Sequence, residues 1–220
     1  MYRLLFTKHG KAIWISHLDL MRALQRSFRR AGLLLKHSQG FTPHPALSIA
    51  MPLSVGVSSD WEIAEFELAE PSDVPPEDIA ALLNPVLPEG LHVSRSYAGG
   101  EKLRHMKWLK AELELVYDAG CGEEGAAAIR ALFASPELWV EKHSKKGPVT
   151  VDIQPMHRDT EVTRLSESVL LIRSTVSAQE PTLNPLLLAA AVEAKLPEYK
   201  PDQVRCRRVC FLNEAFETFL

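Results

Sequence analysis

The sequence predicts an α+β protein made of two α/β sandwich units in tandem, and three observations carry that expectation. Runs such as Trp61–Leu68 and Leu109–Tyr117 alternate apolar with polar residues, the period-two pattern of a half-buried strand. Helical stretches lie between such runs, opened by capping residues and closed by Gly or Asn-Pro. The order of elements also returns: the first half reads β-β-α-β-β-α-β, and the second again mixes strands with two helices, close to a pair of ferredoxin-like units.

Residues 2–7 and 12–15 read as short strands about a Lys8-His9-Gly10-Lys11 turn. Ser16 starts a helix that runs to about Ala31 and is stopped by Gly32, the residue expected just past a helix end. Strands follow at Leu33–His37, Ala46–Met51 and Trp61–Leu68. After Pro71, Pro76–Leu83 is a second helix ended by Asn84-Pro85, and Gly90–Tyr97 returns as a strand. In the second half Leu109–Tyr117 is a strand and Glu123–Ala134 a helix. Strands at Leu138–Lys142 and Val149–Ile153 flank a basic Lys145-Lys146-Gly147-Pro148 turn. Val162–Ser177 supplies one or two more strands, and Val204–Leu212 the last. Between these, Asn184–Lys195 is a helix with Asn184 as cap and Pro185 at its first position. The boundary falls from Gly99-Gly100 to His105, which gives an N-terminal domain at 1–100 and a C-terminal one at 106–220.

Composition limits the function classes. At 220 residues, with 46% hydrophobic and 24% charged residues, the chain has the make-up of an ordinary soluble globular protein. No stretch approaches the roughly 20 apolar residues of a membrane span, and charge comes too early at Arg3 and Lys8 for a secretory signal, so the expected location is cytoplasmic. The net charge of −3 is unevenly spread. Residues 1–60 hold eight Lys and Arg against Asp19 and Asp60, a local +6, which leaves −9 for the rest. That asymmetry fits a basic face for an anionic ligand on an acidic body. Cys121, Cys206 and Cys210 are too few for a disulfide framework. Cys206 and Cys210, four residues apart on one strand and expected on the same face, are roughly 13 Å apart and cannot pair. With no C-x-x-C and no cysteine cluster, neither a metal nor an iron–sulfur centre is expected in this chain.

The most informative stretch is the helix at 16–32 with the loop that follows it. Ser16-x-x-Asp19 has the form of a capping box, a structural role for both residues. Leu20, Met21, Leu24, Phe28 and Ala31 share one arc, while Arg22, Arg26, Arg29 and Arg30 fall within about 100° of each other on the opposite side. No acidic residue follows Asp19 until Asp60, so four like charges face one another without acidic partners on later turns, and a polyanion would relieve the repulsion. Arg26 and Arg30 stand in the middle of that cluster. In Gln39-Gly40-Phe41-Thr42-Pro43-His44-Pro45, Gly40 admits positive φ and the prolines hold Thr42 and His44 extended. His44 is therefore preorganised, unless the loop is a plain connection with Phe41 packed as a lid. His17 and His37 would lie nearby, and histidines with arginines suit phosphodiester cleavage. Ser54–Glu62 reads as a loop that offers a glycine and hydroxyls but no phosphate-loop spacing. Trp14, Trp61, Trp108 and Trp139 read as core or interface residues rather than stacking platforms.

The runs Ser16-His17-Leu18-Asp19-Leu20-Met21-Arg22, Arg29-Arg30-Ala31-Gly32, Gly40-Phe41-Thr42-Pro43-His44-Pro45 and Pro52–Ser58 resemble the bacterial radical-SAM-linked family of unknown function. Its members are encoded beside, or fused to, a cobalamin-binding-domain-like radical SAM protein. The motifs cover about residues 1–62, and the chain carries Thr42 where the family mostly has Asn. The resemblance implies a partnership: the iron–sulfur cluster and S-adenosylmethionine belong to a radical SAM partner, and this chain supplies substrate binding without catalysis of its own. Paired ferredoxin-like units with a basic face are also similar, by fold analogy, to pseudouridine synthases and CRISPR RNA-processing proteins.

The expected function is thus an RNA-binding accessory subunit that presents tRNA or rRNA to the radical SAM enzyme, with neither DNA nor membrane as a partner. Arg22, Arg26, Arg29 and Arg30 would hold phosphates, and Gly40, Thr42, His44 and Ser58 would shape the site. One alternative is a metal-independent ribonuclease using His17 or His44 as base. Another is a protein-interaction module whose arginines meet acidic residues of the partner.

Overall fold

The computed structural model describes residues 1–69, 74–144 and 147–220. Its contacts divide the chain into two units, Met1–Leu103 with Leu220, and Arg104–Phe219. Both are mixed α+β with sheet-dominated cores, and the described residues contain four α-helices. Pro71 and the expected Lys145-Lys146 turn lie outside the described residues.

The first unit runs β1 (Tyr2–Lys8), α1 (His17–Arg30), β2 (Leu47–Ile49), β3 (Val57–Phe66), α2 (Ile79–Leu83) and β4 (Leu91–Ala98). Its strands lie in the order β4-β1-β3-β2, every neighbouring pair antiparallel, with Leu4 opposite both Ala64 and Ser96. One sheet face carries Leu4, Phe6, Ala64, Phe66 and Val93, and the helices close over it with Leu20, Leu24, Phe28, Ile79 and Leu83. Phe28 sits against Phe66 with ring centroids 4.7 Å apart. A fully buried ring of this kind typically costs about 3–5 kcal/mol to truncate to alanine.

Both ends of α1 follow the sequence. The Asp19 N–H donates to Ser16 Oγ at 3.1 Å, and the Ser16 hydroxyl donates to Asp19 Oδ2 at 2.7 Å. Asp19 therefore meets the cap hydroxyl, where a capping box would have it reach the Ser16 backbone amide. At the other end Gly32 takes φ 75°, the Gly32 N–H donates to the Arg29 carbonyl, and the Leu33 N–H donates to the Phe28 carbonyl at 2.9 Å. That is the Schellman closure, which needs the left-handed residue glycine provides.

Four expectations for this unit are corrected. Gly10–Trp14 is a 3₁₀ turn where residues 12–15 were expected as a strand. The buried Lys8 explains it: its ammonium donates to the carbonyls of Ile13 and Ile15 at 3.2 and 3.4 Å, curling the chain around the charge. Leu33–His37 forms no strand, only the single bridges Leu35–Leu68 and His37–Pro45. The prolines at 43 and 45 lack the amides that a longer ladder requires. Strand β3 starts at Val57, four residues before Trp61, so Ser58, Ser59 and Asp60 are in a strand and not a loop. The alternation persists through buried Val57 and Ser59, which small polar residues disguise. The second helix is α-helical only over Ile79–Leu83, between 3₁₀ turns at Pro76–Asp78 and Asn84–Val86.

The second unit runs β5 (Trp108–Val116), α3 (Gly122–Phe133), β6 (Trp139–Ser144), β7 (Gly147–Asp152), β8 (His157–Arg164), β9 (Val169–Ser177), α4 (Leu186–Lys195) and β10 (Gln203–Leu212). Its sheet order is β10-β5-β9-β8, all antiparallel, while β6 and β7 pair as a separate hairpin. With that hairpin set aside, the element and strand orders match those of the first unit. Leu109, Ala111, Leu113 and Leu115 point into the core and alternate with Lys110, Glu112 and Glu114. On the polar side Glu112 pairs with Arg173 at 3.0 Å and with Arg207, and Glu114 pairs with Arg205 at 3.4 Å. Helix α4 begins at Leu186, one residue after the expected Pro185 start, with its first amide received by Asn184 Oδ1 at 3.2 Å.

Two further readings change here. A bulge between Arg208 and Cys210 puts Cys206 opposite Leu113 and Cys210 opposite Lys110. The two cysteines thus lie on different faces of β10. Burial pushes the Cys206 thiol up to about 12. Among the tryptophans, Trp14 is 67% and Trp139 46% exposed, so neither is a core residue.

His157 is a buried titratable group of this unit. Its Nε2–H donates to Gln154 Oε1 at 3.1 Å, and its Nδ1 accepts from the Thr160 hydroxyl at 2.8 Å, whose oxygen in turn meets Ser174 Oγ at 2.7 Å. The network satisfies a neutral imidazole, and burial lowers its pKa below the usual histidine value. The unfolded chain therefore binds this proton at higher pH than the folded one, so stability falls as pH drops through about 6.5 and below. Urea midpoints measured at pH 7.5 and pH 5 should differ more for the wild-type chain than for His157→Gln; equal differences would show that His157 does not govern this pH range.

Candidate anion-binding site

The arginine face of α1 opens on a cavity of about 270 Å³. Arg22, Gln25, Arg26 and Arg29 form its helix wall. Its floor is apolar, made by Phe28 and by Leu33, Leu34 and Leu35. His37 and Pro45 close the far side. The Schellman turn at Gly32 accounts for this shape, because folding Leu33 back onto Phe28 sends the next residues along the arginine side of the helix.

The four arginines, alike in the sequence, separate in the structure. Arg22 donates to Asp19 Oδ1 at 3.1 Å, an i,i+3 pair that the reading of an acid-free face overlooked. The Ser16 hydroxyl first, and then the Arg22 guanidinium, hold the Asp19 carboxyl below its usual pKa. Arg30 turns away: its Nη2 donates to the Val86 carbonyl and to Ser27 Oγ at 3.3 Å, and it does not line the cavity. It fastens α1 to the turn that follows α2. Arg26 and Arg29 remain, both exposed, with no ion-pair partner among the described residues.

The basic excess of residues 1–60 shrinks in the same way. Arg3 is buried against Glu65 at 2.7 Å, and Lys36 meets Glu67 Oε2 at 2.6 Å. The hydrogen bond from Lys36 lowers the Glu67 pKa. Both glutamates come from residues beyond 60, at the end of β3 and just past it, which a count by sequence segment could not assign.

The other expected site residues are not gathered in the cavity. Gly40, with φ 142°, and Thr42 lie exposed in the loop above it. Phe41 is fully exposed and does not pack as a lid. The His44 side chain is exposed, while its N–H donates to Ser38 Oγ at 3.0 Å. Ser58 belongs to β3 and His17 to the start of α1, and neither lines the cavity. The histidine that does is His37, whose Nδ1–H donates to the Leu35 carbonyl at 3.1 Å. Of the histidines expected near the arginines, His37 alone lines the cavity; the part of Gln25 escaped the sequence reading, although the spacing Arg22-x-x-Gln25-Arg26 places it on the same wall. Among the described residues no three His, Cys, Asp or Glu side chains converge as a metal-binding group, and no helix is long and apolar enough to cross a membrane.

The chain is thus an α+β protein with a cavity walled by arginines and floored by apolar side chains, the candidate site for an anion. The chain belongs to the family DUF2344, described as an uncharacterized protein conserved in bacteria, which matches residues 1–185. No curated protein matches the sequence. Among solved structures, a chain of the archaeal box H/ACA sRNP Nop10-Cbf5 complex is similar at 12% identity and TM-score 0.42. The match covers 94% of this chain and 46% of that one, and so weak a likeness bears on neither fold nor ligand.

The division among the arginines is testable. Arg30→Ala should lower stability by about 1 kcal/mol through the lost carbonyl bond and leave phosphate binding unchanged. Arg26→Ala should do the reverse. Urea unfolding and calorimetric titration with inorganic phosphate measure the two effects.

Proposed function

We propose that this chain binds RNA through phosphate contacts at Arg22, Arg26 and Arg29, and presents it to a partner enzyme. One observation carries the reading: Arg26 and Arg29 face a cavity that has no acidic lining residue, and among the described residues neither guanidinium has an ion-pair partner. Two such groups a turn apart repel, and a phosphodiester backbone neutralises both while accepting their forked donors. The apolar floor suits sugars and bases better than free inorganic ions.

In this reading the chain is two domains, 1–100 and 106–220, each ferredoxin-like, a view supported by the strand orders β4-β1-β3-β2 and β10-β5-β9-β8. The chain performs no chemistry itself. The resemblance of its first 62 residues to the radical-SAM-linked family supports a radical SAM protein as the partner, with the iron–sulfur cluster and S-adenosylmethionine held there. The Gly40–Pro45 loop borders the bound strand, with Thr42 and His44 toward it. The ribonuclease alternative has no comparable support, since neither His17 nor His44 lines the cavity.

Phosphate contacts make binding depend on salt. The purified chain should bind tRNA or rRNA fragments at about 50 mM salt, with log K falling against log[salt] by about 0.7–0.9 per contact. Arg26→Ala with Arg29→Ala should reduce that slope by about two contacts. Absence of binding at about 50 mM salt, measured by filter retention or anisotropy, would remove RNA from the proposal.

A further inference from the structure

The cavity and the loop at its rim offer different chemistry, and their combination narrows the ligand. His37 and Pro45 form a β-bridge and both line the cavity, so residues 38–44 rise directly from its edge. Two bonds hold the neck of this loop: the Ser38 N–H donates to the His44 carbonyl at 2.9 Å, and the His44 N–H donates to Ser38 Oγ. At its tip stands Phe41, fully exposed and four residues from either stem, hence within about 14 Å of the cavity. Leu34, in the floor, is also largely exposed.

An aromatic ring in water, on a loop rising from the rim of a cavity whose Arg26 and Arg29 have no ion-pair partner among the described residues, suits a polyanion that presents flat apolar faces. A duplex supplies the charge but keeps its base faces covered by their neighbours. A single strand supplies both, and base-on-aromatic stacking beside a cationic groove is how unpaired nucleic acid is held. We infer that this site takes an unpaired segment of RNA, a loop, bulge or end, with phosphates on Arg26 and Arg29 and a base stacked on Phe41. The inference rests on the RNA-binding reading and adds the strandedness of the ligand.

The test compares a labelled oligouridylate with a blunt duplex RNA, using the full chain at low salt. Oligouridylate should bind more tightly than the duplex. Phe41→Ala should weaken oligouridylate binding by about 5- to 100-fold and leave the duplex unchanged. Because the Phe41 ring makes no buried contact, this variant keeps the fold. Phe41→Trp should retain affinity, with its fluorescence quenched on binding. Arg26→Ala with Arg29→Ala should weaken both RNAs. Equal binding of the two RNAs, unaffected by Phe41→Ala but lost in the arginine variant, would overturn the stacking inference and leave the phosphate reading in place. Binding of poly-glutamate with neither RNA bound would overturn both and point to an acidic protein partner.

Discussion

Helix α1 is held at both ends and along one face, and the first unit's surface chemistry depends on that restraint. Ser16 closes its first turn, Gly32 and Leu33 close its last, Phe28 packs that last turn against Phe66, and Leu20 and Leu24 bury the face before it. A helix so fixed cannot rotate to spread its arginines. Burying Leu20, Leu24 and Phe28 commits Arg22, Arg26 and Arg29 to one outward stripe, and the Schellman turn lays Leu33–Leu35 beside it. The cavity is thus a consequence of how the helix ends: a longer helix would have carried those leucines away from the arginines.

The same restraint sorts the charges. Arg22 lies within reach of Asp19 because both sit in the first two turns, and the cap hydroxyl keeps that carboxylate in place. Arg30, one position off the stripe, reaches the Val86 carbonyl and serves the fold. What remains is a pair of guanidinium groups over an apolar floor, a smaller cationic site than the sequence count of eight basic residues suggests. For the RNA ligand proposed above, the two charges would position a backbone while the neighbouring leucines and Phe41 would offer contacts to the bases.

Reading the sequence worked where one local signal dominated and failed where a distant residue intervened. The α1 caps and the alternation in β5 and β9 involve neighbours in the chain, so their patterns are visible in it. The strand expected at 12–15 was lost to Lys8, whose buried ammonium draws the carbonyls of Ile13 and Ile15 around itself. The same-face placement of Cys206 and Cys210 was lost to a bulge, which leaves no compositional mark but inverts the alternation. Ser58 was read as a loop residue because serine disguises a strand whose buried positions are small.

By itself the sequence determined the α+β class, the ends of α1, the amphipathic division of that helix and the four arginines as the candidate anion face. These follow from residues within a few positions of one another, where backbone preference and helical period suffice. Only the tertiary structure decided which of the basic groups other than Arg22 remain available, because Val86, Glu65 and Glu67 are distant in sequence and meet Arg30, Arg3 and Lys36 through the fold. It also brought His37 and the leucines to the arginine face and left Phe41 uncovered. The physical reason is one of range: capping and periodicity act along the chain, whereas pairing a charge or walling a cavity requires groups that only folding brings together.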